Sequence, residues 1–186
     1  MANRVEALRP QQAKSVLTYL RGKGNSRDTL LWAVGITTGL RVSDLLSLTW
    51  GDFIGPDGEI PETITVKETK TQHSRTIRVL RAAREALQAR RREIRPAAAD
   101  PLFAITREQV RRLVKQWCAS CNLTGDFGTH TMRKSFATAA YLNSGHDAIA
   151  TARVTGHRNP AQLLAYIGCT AETEDQITRG IDKAFA

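Results

Sequence analysis

One short stretch breaks the helical rhythm of this 186-residue chain and limits what it can fold into. Ile64 and Val66 alternate with threonines, and Ile77 and Val79 alternate with Thr76 and Arg78. Side chains on a strand point to opposite faces in turn, so this period of two predicts two antiparallel, half-buried strands. The polar run from Lys67 to Arg75 reads as the link between them. A lone two-stranded hairpin is marginal in water and needs something to pack on.

Helices on both sides supply that partner. Pro10 opens one that carries Ala13, Val16, Leu17 and Leu20 on one face, since Pro at the first helical position loses nothing by lacking an N–H. Ser26 is expected to cap a second, whose centre is apolar all round and therefore buried. Thr38-Gly39-Leu40-Arg41 interrupts it, and Ser43 is expected to cap a short third helix. Trp50 to Gly58 reads as turns. Further helices are predicted over Arg81 to Ile94, after the Thr106/Gln109 capping box, over Thr131 to Asn143, from Asp147 to Gly156, and from Asn159-Pro160 to Gly168. Glu172 to Ala186 reads as a last amphipathic helix with Ile177, Ile181 and Phe185 in a stripe. The fold class is α+β, mostly α-helical, one domain with a small antiparallel sheet at about residues 62–80 packed on the helices.

Charge narrows the partner. Twenty-seven Lys and Arg against eighteen Asp and Glu give +9, a balance that suits a polyanion such as nucleic acid. No apolar run approaches the roughly 18 residues of a membrane span, and MANRVEALRP lacks a signal peptide's apolar core, so a cytoplasmic protein is expected. Cys118 and Cys121 form a C-x-x-C, but they continue the stripe of Val110, Leu113, Val114 and Trp117. Core packing explains them better than metal or redox chemistry.

The candidate chemistry is cationic. His130 and Arg133 stand three apart near a helix start, on one face, where backbone N–H groups and partial positive charge suit a phosphate. Arg41 follows Gly39 at a sharp junction, with Asp44 close enough to hold it. A guanidinium fork matches two phosphate oxygens. His157 precedes Arg-Asn-Pro, and Tyr166 lies nine residues beyond it.

The segments TTGLRVSDLLSLTW, ITVKETKTQHSRTIRV, GTHTMRKSFATAAY and VTGHRNPAQLLAYIG together resemble the catalytic domain of the tyrosine recombinases, the lambda-integrase class. The resemblance runs from about residue 30 to the C-terminus. It implies that Arg41 and Arg133 grip the phosphate, that Tyr166 is the nucleophile, and that cleavage leaves a 3′-phosphotyrosine and a 5′-hydroxyl. It further implies that His130 takes or orients the tyrosine proton and that His157 hydrogen-bonds the phosphate. Lys70 matches the hairpin lysine that protonates the leaving oxygen; Lys67 is the rival, because register is not fixed by sequence alone. Tyrosine, with an ordinary pKa near 10, needs such cations to attack at neutral pH.

The resemblance implies no cofactor and no metal, double-stranded DNA as partner, and self-association to a tetramer on DNA from a chain that is monomeric alone. One catalytic domain is expected over 1–186, with residues 1–25 as an N-terminal helix and no separate N-terminal core-binding domain; DNA binding is then weak and salt-dependent. The helix at 172–186 either folds back in cis or docks on a neighbouring protomer. Two other functions share these features: a type IB topoisomerase-like relaxing enzyme and a non-catalytic DNA-binding relative. Tyr19 is expected to be a packing residue, Tyr141 a core or DNA-facing one, His73 a hairpin-turn residue and at best a DNA contact, His146 a solvated one, and Arg90-Arg91-Arg92 a solvated helix face.

Overall fold

The structure, a computed structural model, describes residues 5–70, 72–168, 178–179 and 181–183. The chain divides into two compact units, Met1–Phe136 and Ala137–Ala186. The boundary falls inside a helix, which is why no linker marks it in the sequence.

The first unit is built from helices α1 (Pro10–Gly22), α2 (Ser26–Thr38), α3 (Val42–Leu46), α4 (Arg81–Ile94) and α5 (Arg107–Ser120), and a hairpin of β1 (Thr63–Lys67) and β2 (Ser74–Arg78). The start of α6 (Thr131–Asn143) completes it. Ala13, Val16, Leu17 and Leu20 of α1 are all buried, as their spacing predicts. α2 buries nine of its thirteen residues, including the unbroken run from Asp28 to Gly35, as an apolar-all-round helix must. Trp32 is fully buried; its indole N–H donates to the Ala13 carbonyl at 3.0 Å, and its ring meets Trp117 edge-on at 5.8 Å. Cys118 sits in the same core, and burial pushes its thiol up to about 12, so it behaves as a small apolar side chain. Cys121, half-buried at the end of α5, is also raised by burial.

The α+β class stands, and three local expectations change. Asn25, not Ser26, caps α2: its side chain accepts from the Asp28 N–H at 3.0 Å, leaving Ser26 as the first helical residue. Arg41 rather than Ser43 occupies the N-cap of α3, without a side-chain cap bond. The stretch at 50–58 opens with a 3-10 helix, Trp50–Phe53, because Trp50 and Phe53 both turn into the core.

The hairpin is antiparallel, with Ile64 opposite Ile77, Val66 opposite Arg75 and Lys67 opposite Ser74. The strands therefore run further than the apolar alternation suggests. Lys67 and Arg75 belong to strands, and the pairing extends one step more, since Glu68 N–H donates to the His73 carbonyl at 2.9 Å. The link is only the tip beyond Glu68 and His73.

The second unit holds the rest of α6 with α7 (Ala148–Thr155) and α8 (Pro160–Ile167). Ala137, Ala152 and Leu163 form its small core, with Tyr166 and Ile167 packed against it. Asp147 caps α7 through the N–H groups of Ile149 and Ala150, and Asn159 caps α8 through that of Gln162 at 2.8 Å. Gly156 and Gly168 end these helices in the left-handed conformation that a glycine adopts without cost. Most of the expected helix at 172–186, including Ile177 and Phe185, lies outside the described residues. Residues 178–179 and 181–183 are helical, and Ile181 is 53% exposed.

Candidate active site

In the first unit, the break between α2 and α3 is where the cations gather. Gly39 ends α2 at φ 61°, a left-handed turn that favours glycine. The turn leaves the Gly39 carbonyl facing α6, where the Arg133 Nη1 donates to it at 2.6 Å. Two residues on, Arg41 is the N-cap of α3. Thus Arg41 and Arg133, 92 positions apart in sequence, are anchored on one three-residue turn. Arg133 is buried, whereas the Arg41 side chain keeps 24% of its surface in solvent.

His130 stands one turn before Arg133. Its imidazole is held below its ordinary pKa by partial burial first, then by the positive charges of Arg107, Arg133 and Arg41. Three of this unit's four sequence candidates, Arg41, His130 and Arg133, thus share one electrostatic neighbourhood, and a neutral imidazole is favoured there. Arg107, the first residue of α5, joins them; nothing in its motif context marks it out in the sequence.

The ion pairing around Arg41 departs from expectation. Asp44 lies 4.0 Å from Arg41 Nη1, while Glu68 takes the close bond at 2.5 Å. Glu68 is buried, and its other oxygen faces Arg75 Nε at 3.7 Å. Arg75 Nη2 donates to the Thr38 carbonyl at 2.9 Å. Burial pushes the Arg75 guanidinium below its ordinary value, and Glu68 opposes that shift. Asp44, fully buried, turns instead to the hairpin and accepts from the Thr69 N–H at 2.9 Å. No motif marks Glu68 and Arg75 as buried in the sequence. The signal was the strand alternation itself: counting by two from Ile64 and Val66 reaches Glu68, and back from Val79 and Ile77 reaches Arg75.

The two candidate lysines now differ in position. Lys67 is the last residue of β1, on the exposed face and paired with Ser74. Lys70 lies in the hairpin tip, exposed, next to the Thr69 that Asp44 holds.

In the second unit, His157 and Tyr166 meet. Their rings lie 5.1 Å apart at 44°, and Thr155 Oγ1 is 2.6 Å from His157 Nδ1, which fixes the imidazole's orientation. Tyr166 is half-buried at the end of α8. Tyr141 is buried and edge-on to His146 at 5.0 Å, and Tyr19 packs on the main core, so both behave as packing residues. Arg90 is paired with Glu93 at 2.9 Å and Arg91 donates to the Gly58 carbonyl at 2.5 Å, which accounts for two of the three arginines in that run. Among the described residues, no helix is long and apolar enough to cross a membrane.

Comparison with known proteins bears on the family and the fold. The phage integrase family matches over residues 6–172. The probable integrase/recombinase YoeC of Bacillus subtilis (strain 168) is 29% identical over 182 residues, covering 94% of this chain and 93% of that protein. Among solved structures, the XerH site-specific recombinase bound to its palindromic difH substrate in a post-cleavage complex superposes with a TM-score of 0.71 at 24% identity over 94% of this chain. The lambda integrase dimer bound to a COC′ core site gives 0.65 at 16% identity over 90%. This chain spans 53% of the XerH chain and 49% of the lambda integrase chain, and at these identities the likeness is one of fold. On the family match, which covers most of its length, the chain belongs to the phage integrase family, the tyrosine recombinases of the lambda-integrase class.

Proposed function

We propose that this protein is a site-specific DNA recombinase whose catalytic set is Arg41, Lys70, His130, Arg133, His157 and Tyr166. Arg41 and Arg133 bind the non-bridging oxygens of one phosphodiester and stabilise the charge that grows as phosphorus becomes pentavalent. The Tyr166 hydroxyl attacks phosphorus: the Oη–P bond forms, the P–O5′ bond breaks, and the tyrosine proton passes to His130. Lys70 gives a proton to the leaving 5′-oxygen. His157 donates to a phosphate oxygen. One phosphodiester replaces another, so religation by the 5′-hydroxyl needs no energy source.

The observation that supports this reading most is the shared anchoring of Arg41 and Arg133 at the Gly39 turn, with His130 in the field of both. Buried arginine is costly unless paired or aimed at an anion. A depressed pKa keeps the imidazole neutral at pH 7, so that a ring nitrogen is able to accept from the tyrosine hydroxyl. The partner is double-stranded DNA, on which four copies assemble; the chain acts as one catalytic domain in the cytoplasm, its C-terminal helix docking on the neighbouring copy.

A nicked suicide duplex tests this. The wild-type chain is expected to form a covalent DNA adduct that Tyr166→Phe does not form. Adducts on any sequence with plasmid relaxation favour a topoisomerase-like enzyme, and no adduct on any DNA favours a non-catalytic binder.

A further inference from the structure

Glu68 occupies a place where the strand pattern calls for an apolar side chain. It continues the inward face of Ile64 and Val66, and it is only 3% exposed. A buried carboxylate needs close cationic partners to be tolerated. Here it has two, Arg41 at 2.5 Å and Arg75 at 3.7 Å, brought from the α2–α3 junction and from the opposite strand.

The backbone of Glu68 matters as much as its side chain. Its N–H donates to the His73 carbonyl at 2.9 Å, and its carbonyl accepts from the Gln72 N–H at 2.8 Å. Glu68 is therefore the base of the hairpin tip that carries Lys70 two residues later. Asp44 pins the residue between them by accepting from the Thr69 N–H. Arg75 closes the circuit by bonding back to the Thr38 carbonyl, at the start of the turn that presents Arg41. Two arginines and two carboxylates thus join the tip to the turn with no net charge.

We propose that Glu68 is a positioning residue that fixes Arg41 and the Lys70 tip relative to each other, so that the grip on the phosphate and the protonation of its leaving oxygen are set by one buried carboxylate. The inference rests on the recombinase reading above and assigns Glu68 no contact with DNA. Glu68 holds Arg41 through Nη1, and the Arg41 side chain keeps 24% of its surface in solvent, with other guanidinium N–H donors to offer a phosphate. Loosening Glu68 misplaces the acid that must reach a departing oxygen, and a displacement of about 1 Å is enough to cost roughly 100-fold in rate.

The experiment uses two suicide duplexes, one with the ordinary phosphodiester and one with sulfur in place of the bridging 5′-oxygen. A thiolate leaves without being protonated, so the sulfur substrate removes the need for Lys70 but not for Arg41. Glu68→Gln is compared with Lys70→Ala, Lys67→Ala and wild type, with urea unfolding to check each fold. Glu68→Gln is expected to slow adduct formation at least tenfold on the phosphodiester, with a clearly smaller deficit on the sulfur substrate, as for Lys70→Ala. If Glu68→Gln does not fold, Arg75→Lys keeps the charge, loses the bond to Thr38, and should show the same sulfur-dependent recovery. A wild-type rate, or an equal deficit on both substrates, overturns the proposal that one carboxylate sets both Arg41 and the Lys70 tip. Failure of the wild type to form any adduct on either duplex overturns the recombinase reading itself.

Discussion

Replacing Gly39 by alanine tests the geometry on which the two arginines depend. A Cβ built there meets the Phe136 ring at 2.1 Å from Cδ1 and 2.8 Å from Cε1, far inside contact distance. The backbone at φ 61° adds its own penalty of about 1 kcal/mol for any residue with a Cβ. Relieving the clash by moving Phe136 or the turn adds about 1–3 kcal/mol. The total, about 2–4 kcal/mol, is a large share of the ~5–15 kcal/mol that keeps a domain folded. With a urea slope of about 2 kcal/mol per M, the midpoint falls by about 1–2 M. Gly24→Ala is the control, since Gly24 has φ 67° with nothing within 4 Å of the added Cβ. It should lose only the backbone share, about 1 kcal/mol. Phe136 lies one turn after Arg133, so whatever yields also shifts the Gly39 carbonyl from the Arg133 guanidinium. Adduct formation by the fraction still folded should drop by about 100-fold. Equal urea midpoints for the Gly39 and Gly24 variants, with a wild-type rate for the former, would refute the packing argument.

Two further outcomes follow from the same site. Because His130 is held below its ordinary pKa, it is neutral at pH 7 and stays so into mildly acid solution. The acid limb of the rate of adduct formation should fall below pH 6.5, and His130→Asn should abolish that limb; an inflection above 6.5 contradicts the account. The sign carries over to stability: between the folded pKa and 6.5 the unfolded chain binds more protons, so stability decreases as pH falls through that window. Arg133→Lys keeps the charge but loses the planar fork, so the rate of adduct formation by the fraction still folded should fall by about 100-fold or more. A variant within a fewfold of wild type would remove Arg133 from the phosphate.

Much of this fold is legible in the sequence because local signals agree with tertiary demands. The α1 stripe, the Thr106/Gln109 capping box, the Asp147 cap and the Asn159-Pro160 start all appear where their residues predict, since each is decided within one or two turns of chain. The misses have a common cause. Ser26 and Ser43 are good caps by type, yet the chain enters α2 one residue earlier and α3 two residues earlier, because the Asn25 bond and the Gly39 turn set the entry. Glu68 and Arg75 look like parts of a polar link because their charges mask a period-two pattern that puts them inside. Their pairing joins residues 41, 68 and 75, and only the fold brings those together. His157 and Tyr166, nine apart, were within reach of a local reading, and the turn at Gly156 with the cap at Asn159 brings their rings together.

The central claim is that Tyr166, and no other residue, forms the bond to DNA. After trapping on a suicide duplex, nuclease trimming and proteolysis, mass spectrometry should find the nucleotide on the peptide that holds Tyr166. A nucleotide mapped to Tyr19, Tyr141 or any serine would contradict the account.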